Sequence, residues 1–268
     1  MQPHLDASAL LDVSDFAEPT LAAFRFDGRS LTCMPQNISS LVVFYNVDLF
    51  EEAGVAAPTA GWGWEDFLAA ARALTDPAQG RFGVGLEPSL QAEERFIAGQ
   101  LGMYLDSRRA TPTLRAGIAG FGWDVGPLPS APGGTPSTIL HGDAYCLSAA
   151  GDSDAGWRFI EHVMTVEGQE ILAESGRTVP SRTDVATSPA FLEPDLPPAR
   201  ASVFIEAIPH IRSLPHTSTW SQMQREVDSL LADVYYGRVD REQGITDMIR
   251  AAEAIFAHEP PRLLPPAA

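Results

Sequence analysis

The stretch Leu41-Val42-Val43-Phe44-Tyr45-Asn46-Val47-Asp48-Leu49-Phe50-Glu51-Glu52-Ala53-Gly54 decides the architecture of the chain. Residues 41–45 are apolar, β-branched or aromatic and are flanked by polar Ser39-Ser40 and Asn46, which predicts a buried strand. Asp48 to Ala53 then reads as a short helix. Gly54 can end it, since glycine adopts the left-handed cap conformation without a Cβ clash.

The same alternation continues outward. Trp64, Phe67, Leu68, Ala71 and Leu74 recur at helical spacing, with Glu65 and Asp66 in the first turn where the helix dipole favours negative charge, so a helix is predicted over 64–75. Asp76-Pro77 breaks it, and Phe82 to Leu86 reads as the next strand. The Gly- and Pro-rich residues 120–137 predict an extended segment and an exposed loop, where a crossing between lobes is expected. Asp154 is the expected cap of a helix through Ala155, Phe159, Ile160, Val163 and Met164, and Thr165 opens another that ends near Gly176. Trp220, Met223, Val227, Leu230, Leu231 and Val234 mark a long amphipathic helix closed by Gly237, and Ile245 to Phe256 a last one. Short strands alternating with longer helices give an α/β fold with mainly parallel sheets, whose ligands collect at strand ends and between domains. No repeat of 20 to 50 residues supports a solenoid or propeller.

With 268 residues, 45% of them hydrophobic, the chain can bury a proper core. Its net charge of −17 opposes binding to nucleic acid or to anionic membrane surfaces. All 18 basic residues other than histidine are arginine, which removes lysine-dependent Schiff-base and phosphate-loop chemistry. Cys33 and Cys146 are too few for a cysteine-only metal site; each reads as a small buried hydrophobe, with a disulfide between them left open. No run approaches a membrane span, and Met1-Gln2-Pro3-His4 does not begin an export signal.

The order of these segments resembles the family 1 extracellular solute-binding proteins, which serve ATP-driven importers of sugars and related solutes. Met34-Pro35-Gln36-Asn37 leads into the opening stretch, which is similar to the family's Tyr-Asn-x-Asp and Phe-x-x-Ala-Gly run, and Trp64-Glu65-Asp66-Phe67 is similar to its tryptophan-led helix start. Phe96, Gly99 and Met103, then Trp123 to Pro129, Gly156 to Ile160 with Gly168-Gln169, Arg177 to Arg182, and the helix at Trp220 follow in the family's order. The resemblance implies a periplasmic-binding-protein-like two-lobe fold of class II type, with an incomplete first lobe: the chain begins after the family's usual N-terminal segment and jumps between motifs from Pro88 to Phe96. It implies 1–36 and 143–193 for lobe 1, 37–142 and 194–258 for lobe 2, and a Pro-rich tail at 259–268. It further implies an extracytoplasmic, monomeric, cofactor-free protein that holds a sugar-like solute and hands it to ABC permease subunits.

A sugar site needs aromatic faces for the ring and planar hydrogen-bonding groups for hydroxyls. Trp220 follows the polar run His216 to Thr219, where the family often places a stacking tryptophan; packing at a helix start is the competing role. Asp106, Ser107, Arg108 and Arg109 follow Met103 where relatives present ligand contacts, against a reading as surface ion pairs. Tyr45, Asn46 and Asn37 are candidate contacts near the hinge, although Asn46 could instead cap a turn and Tyr45 pack inward. Gly142 and Asp143 lie where the chain re-enters the first lobe, and Arg182 is a further candidate. Trp62, Trp64, Trp123 and Trp157 are assigned to packing. Catalytic motifs and metal-like histidine spacings are absent from the sequence. The alternatives are a remnant or adaptor of the same fold without ligand and, further off, a two-carboxylate glycosidase.

Overall fold

The computed structural model describes residues 1–25, 29–85, 90–134, 137–212 and 217–258. It divides into two units, Met1–Ser213 and Leu214–Ala268. Among the described residues the strands are β1 (Cys33–Pro35), β2 (Val42–Asn46), β3 (Phe82–Gly85), β4 (Leu101–Asp106), β5 (Trp123–Gly126), β6 (Thr138–Ile139), β7 (Ala144–Cys146) and β8 (Ile211–Arg212).

The principal sheet of the first unit has the order β3-β4-β2-β5. Strand β2 sits inside it and is buried along its whole length, which explains why its sequence is apolar on both faces rather than alternating. Val42 and Phe44 enter one core with Tyr104, Trp123, Val125 and Phe204. Val43 and Tyr45 enter the core on the other face, with Phe50, Trp62, Phe67 and Met103. This is the two-residue period of a strand. The helix Trp64–Ala73 lies close over β3 and β4 because both offer glycine there: a Cβ on Gly102 would stand 2.8 Å from Leu74 Cδ1, and one on Gly83 would collide with the Ala71 backbone.

Mainly parallel pairing was the expectation, but β2 runs antiparallel to both β4 and β5; among the described strands the parallel pairs are β3–β4 and the short β6–β8. Counting strands and helices does not fix direction, because these connections do not all return to the same end of the sheet.

A separate core gathers Leu5, Phe16, Leu21, Leu31, Met34, Trp157, Ile160 and Met164 beside the two-stranded sheet β1–β7. Here the sequence reading of the cysteines is corrected. Cys33 and Cys146 face each other across β1 and β7 and form a disulfide, with an S–S distance of 2.00 Å. Cys146 is exposed, so neither packing nor apolar neighbours in sequence decided its role. The helix Ser153–Val163 is capped by Asp152, whose carboxylate accepts from the amides of Asp154 and Ala155, not by Asp154 itself.

The second unit contains the helices Trp220–Tyr235 and Arg241–Phe256, the latter capped by Asp240. Gly244 allows their close approach at Val234. Leu86 of the expected strand 82–86, His216 and the tail 259–268 lie outside the described residues.

Candidate ligand site

Two segments join the separate core to the sheet cores side by side. From the Cys33–Cys146 pair the ladder runs through Met34↔Tyr145 and Pro35↔Ala144. It continues with Gln36 N donating to Asp143 O at 2.8 Å and ends in reciprocal bonds between the backbones of Ser39 and His141, at 2.7 and 2.9 Å. Asn37 Nδ2 donates to Asp143 Oδ2 at 3.0 Å. A third segment lies alongside: Ile38 N donates to Val179 O, and Ser181 Oγ donates to Pro35 O at 2.6 Å. These paired segments, 33–41 and 138–146, form the crossing between the two cores, and the Gly- and Pro-rich loop 120–137 leads into the second of them. Gly142 belongs to it for want of space, since a Cβ there would stand 3.2 Å from Asn37 O.

The register of β2 places β4 relative to this crossing. Val42 pairs with Asp106, so the C-terminal end of β4 lies at the end of the sheet where the crossing enters. The Asp106 carboxylate accepts from Tyr104 Oη at 2.6 Å, from Ser107 N at 2.6 Å and from Arg109 Nη2 at 3.3 Å. The arginine side chain remains 65% exposed. Burial, followed by the bond to Asp106, raises the Tyr104 pKa well above that of a free phenol, so this hydroxyl stays a donor. Tyr104 was missed in the sequence, although its spacing of two from Asp106 puts the two side chains on the same face of a strand. The hydroxyls of Ser39 and Ser40 are buried without a hydrogen-bond partner among the described residues. A pocket of about 110 Å³ adjoins the crossing, walled by Leu41, Trp62, Leu128, Thr138, Val203 and His210.

The other candidates are engaged elsewhere. Arg108 is 0% exposed, donates to Gly176 O and to Glu193, and lies over the rings of Phe191 and Phe204. Burial, reinforced by the charge of Arg115, lowers its pKa to about 10. Ser107 is buried beneath Asp106. Tyr45 packs on Phe50, and Asn46 caps the helix Val47–Glu52 by accepting from Leu49 N. Both stand toward the far end of β2 from Asp106, about 10–13 Å along the strand. Arg182 is buried in ion pairs with Asp15 at 3.0 Å and Asp184 at 2.8 Å. Trp220 is half-buried at the start of its helix in the second unit. Trp62, Trp123 and Trp157 are core residues, and Trp64, 46% exposed, packs against the Phe67 ring.

The structure brings together Asn37, Gly142 and Asp143 at the crossing and sets Asp106 with Arg109 at the adjoining end of the sheet. A guanidinium, a carboxylate, a phenol and an amide can hold hydroxyl groups by planar and charge-assisted hydrogen bonds.

Solved structures of low sequence identity share this fold. An ABC substrate-binding protein from Listeria monocytogenes, solved in complex with cycloalternan, is 19% identical with a TM-score of 0.81, over 95% of this chain and 78% of that one. The GacH receptor of Streptomyces glaucescens, solved unliganded and with acarbose, is 19% identical with a TM-score of 0.78 over the same shares. UgpB from Mycobacterium tuberculosis, solved with glycerophosphocholine, is 17% identical with a TM-score of 0.78, again over 95% and 78%. No curated protein gives a match. The sequence profile described as bacterial extracellular solute-binding protein matches residues 3–170, more than half of the chain. The α/β fold and this match lead to one assignment: the chain belongs to the bacterial extracellular solute-binding protein family.

Proposed function

We propose that the chain is the substrate-binding component of an ABC importer, which holds a sugar or related small polar solute at the crossing and delivers it to a membrane permease. One observation carries this reading. The core around Leu5, Phe16 and Trp157 and the core of the sheet are bridged by the paired segments 33–41 and 138–146 with 179–182 alongside, and exposed Arg109, the Asn37–Asp143 pair and, among the described residues, the unpartnered hydroxyls of Ser39 and Ser40 lie along this strip or at the adjoining end of the sheet. Proteins of the same fold solved with cycloalternan, acarbose, tagatose and maltose support a carbohydrate as the solute.

In this reading lobe 1 is built on 1–36 and 143–193 and lobe 2 on 37–142 and 194–258, with Ala173, Val179, Val185 and Phe191 of the former packing into the sheet core of the latter. The ligand selects a closed arrangement of the lobes, which docks on the permease. The protein acts as an extracytoplasmic monomer without catalysing a reaction on its ligand. Its disulfide supports an oxidising compartment.

Thermal unfolding in the presence of a panel of mono- and oligosaccharides tests the function. A true ligand raises the midpoint, corresponding to about 2.7 kcal/mol at a hundredfold excess over its dissociation constant. A panel that leaves the midpoint unmoved favours a remnant or adaptor, and release of free sugar from glycosides would revive the hydrolase reading.

A further inference from the structure

We propose that the Cys33–Cys146 disulfide is a redox modification site whose reduction loosens the crossing and weakens ligand binding. The inference rests on the binding function proposed above.

The disulfide closes the outer end of the same ladder that carries the Asn37–Asp143 pair, with two residue pairs, Met34↔Tyr145 and Pro35↔Ala144, between them. Among the described residues β7 pairs with β1 alone, and each strand has only three residues. Two strands so short are marginal by themselves. The covalent link therefore holds the outer end, and the Ser39–His141 bonds hold the inner end. With the link gone, fraying starts at Cys33 and Cys146 and reaches Asp143 after two pairs and Asn37 after three.

The bond is also accessible. Cys146 is exposed and lines a surface groove of about 290 Å³ with Tyr145, Leu147, Gly156 and Phe159. A dithiol reductant is the co-reactant. Its thiolate attacks Cys146 Sγ, the S–S bond breaks, and Cys33 leaves as a thiolate that takes up a proton. The second thiol of the reductant loses its proton, attacks the mixed disulfide and releases Cys146 as a thiol. Two electrons and two protons have then passed to the cysteine pair, and the reductant has become a disulfide.

The test compares the intact chain oxidised, the same chain reduced with dithiothreitol, and the Cys33→Ser, Cys146→Ser double variant. Amide hydrogen exchange is followed without ligand, and maltose affinity by calorimetry. In the reduced and variant forms the amides of Gln36, Ser39 and His141 should exchange about tenfold faster or more, while those of β2 and β4 keep their rates. The maltose dissociation constant should rise roughly three- to tenfold, as the competent population falls. Unchanged exchange at the crossing would overturn the proposal. So would equal acceleration throughout the chain, the mark of a general stabiliser, or faster exchange at an unaltered affinity. If maltose binds none of the forms, local exchange still decides whether the disulfide holds the crossing, while the absent affinity counts against the assigned function.

Discussion

Asn37 and Asp143, 106 positions apart in sequence, are joined twice: the Asn37 amide donates to the Asp143 carboxylate at 3.0 Å, and the Asp143 backbone donates back to Asn37 Oδ1 at 3.4 Å. Asn37 is buried and Asp143 exposed, so the pair fixes the crossing on one side and faces solvent on the other. Asn37→Ala should destabilise the chain by about 1 kcal/mol, and a double-mutant cycle with Asp143→Ala should show that most of this loss is shared. Urea unfolding of the four chains measures it; strict additivity would mean that the two side chains act independently.

Glu193 has a different weight. It accepts from Arg108 at 2.8 Å and from Arg115 at 2.9 Å, and the Arg108 side chain is entirely buried. Glu193→Gln leaves two guanidinium groups with no carboxylate between them. A loss of about 3–5 kcal/mol is expected, because the remaining buried charge is uncompensated. Chemical denaturation measures it, and a loss below about 1 kcal/mol would show that water compensates Arg108.

Acid should weaken the attachment of residues 180–184. Hydrogen bonding from Arg182 lowers the Asp184 pKa below its ordinary 3.8. For a carboxylate with a depressed folded value, the stabilisation is present above the unfolded value and disappears as pH falls through the folded one. Unfolding midpoints should therefore drop as pH is taken below about 4, and Asp184→Asn should flatten that part of the profile. Profiles that superimpose for the two chains would remove Asp184 from the acid response.

Much of the fold was legible because β2 and its following helix carry unambiguous signals: an apolar and aromatic run over 42–45, an Asn46 cap and a glycine at positive φ after the helix. The helices at Trp64 and Trp220 start where their sequence periodicity starts. Strand direction was not legible, since it depends on where the connections return. Cys33 and Cys146 meet only because β1 and β7 bring together residues 113 apart, a relation no local pattern contains. The same reason divides the candidate site. Arg108 and Arg109 are adjacent in sequence, yet the turn after β4 sends one into the core and leaves the other in solvent. Tyr45 and Asn46 looked like neighbours of the crossing, but the length of β2 separates them from it.

Isothermal titration of the intact chain with a sugar that raises its melting midpoint, set beside Arg109→Glu, bears most directly on the account. Arg109 is exposed and, among the described residues, is held by Asp106, so the substitution should leave the melting midpoint of the free protein nearly unchanged. Saturable heat at one ligand per chain, with affinity falling about tenfold or more in the variant, is the predicted result; loss of one charge-assisted hydrogen bond corresponds to about 1.5–3 kcal/mol. Identical binding by both chains would contradict a ligand site at the Asp106 end of the sheet, and no heat from either would contradict solute binding itself.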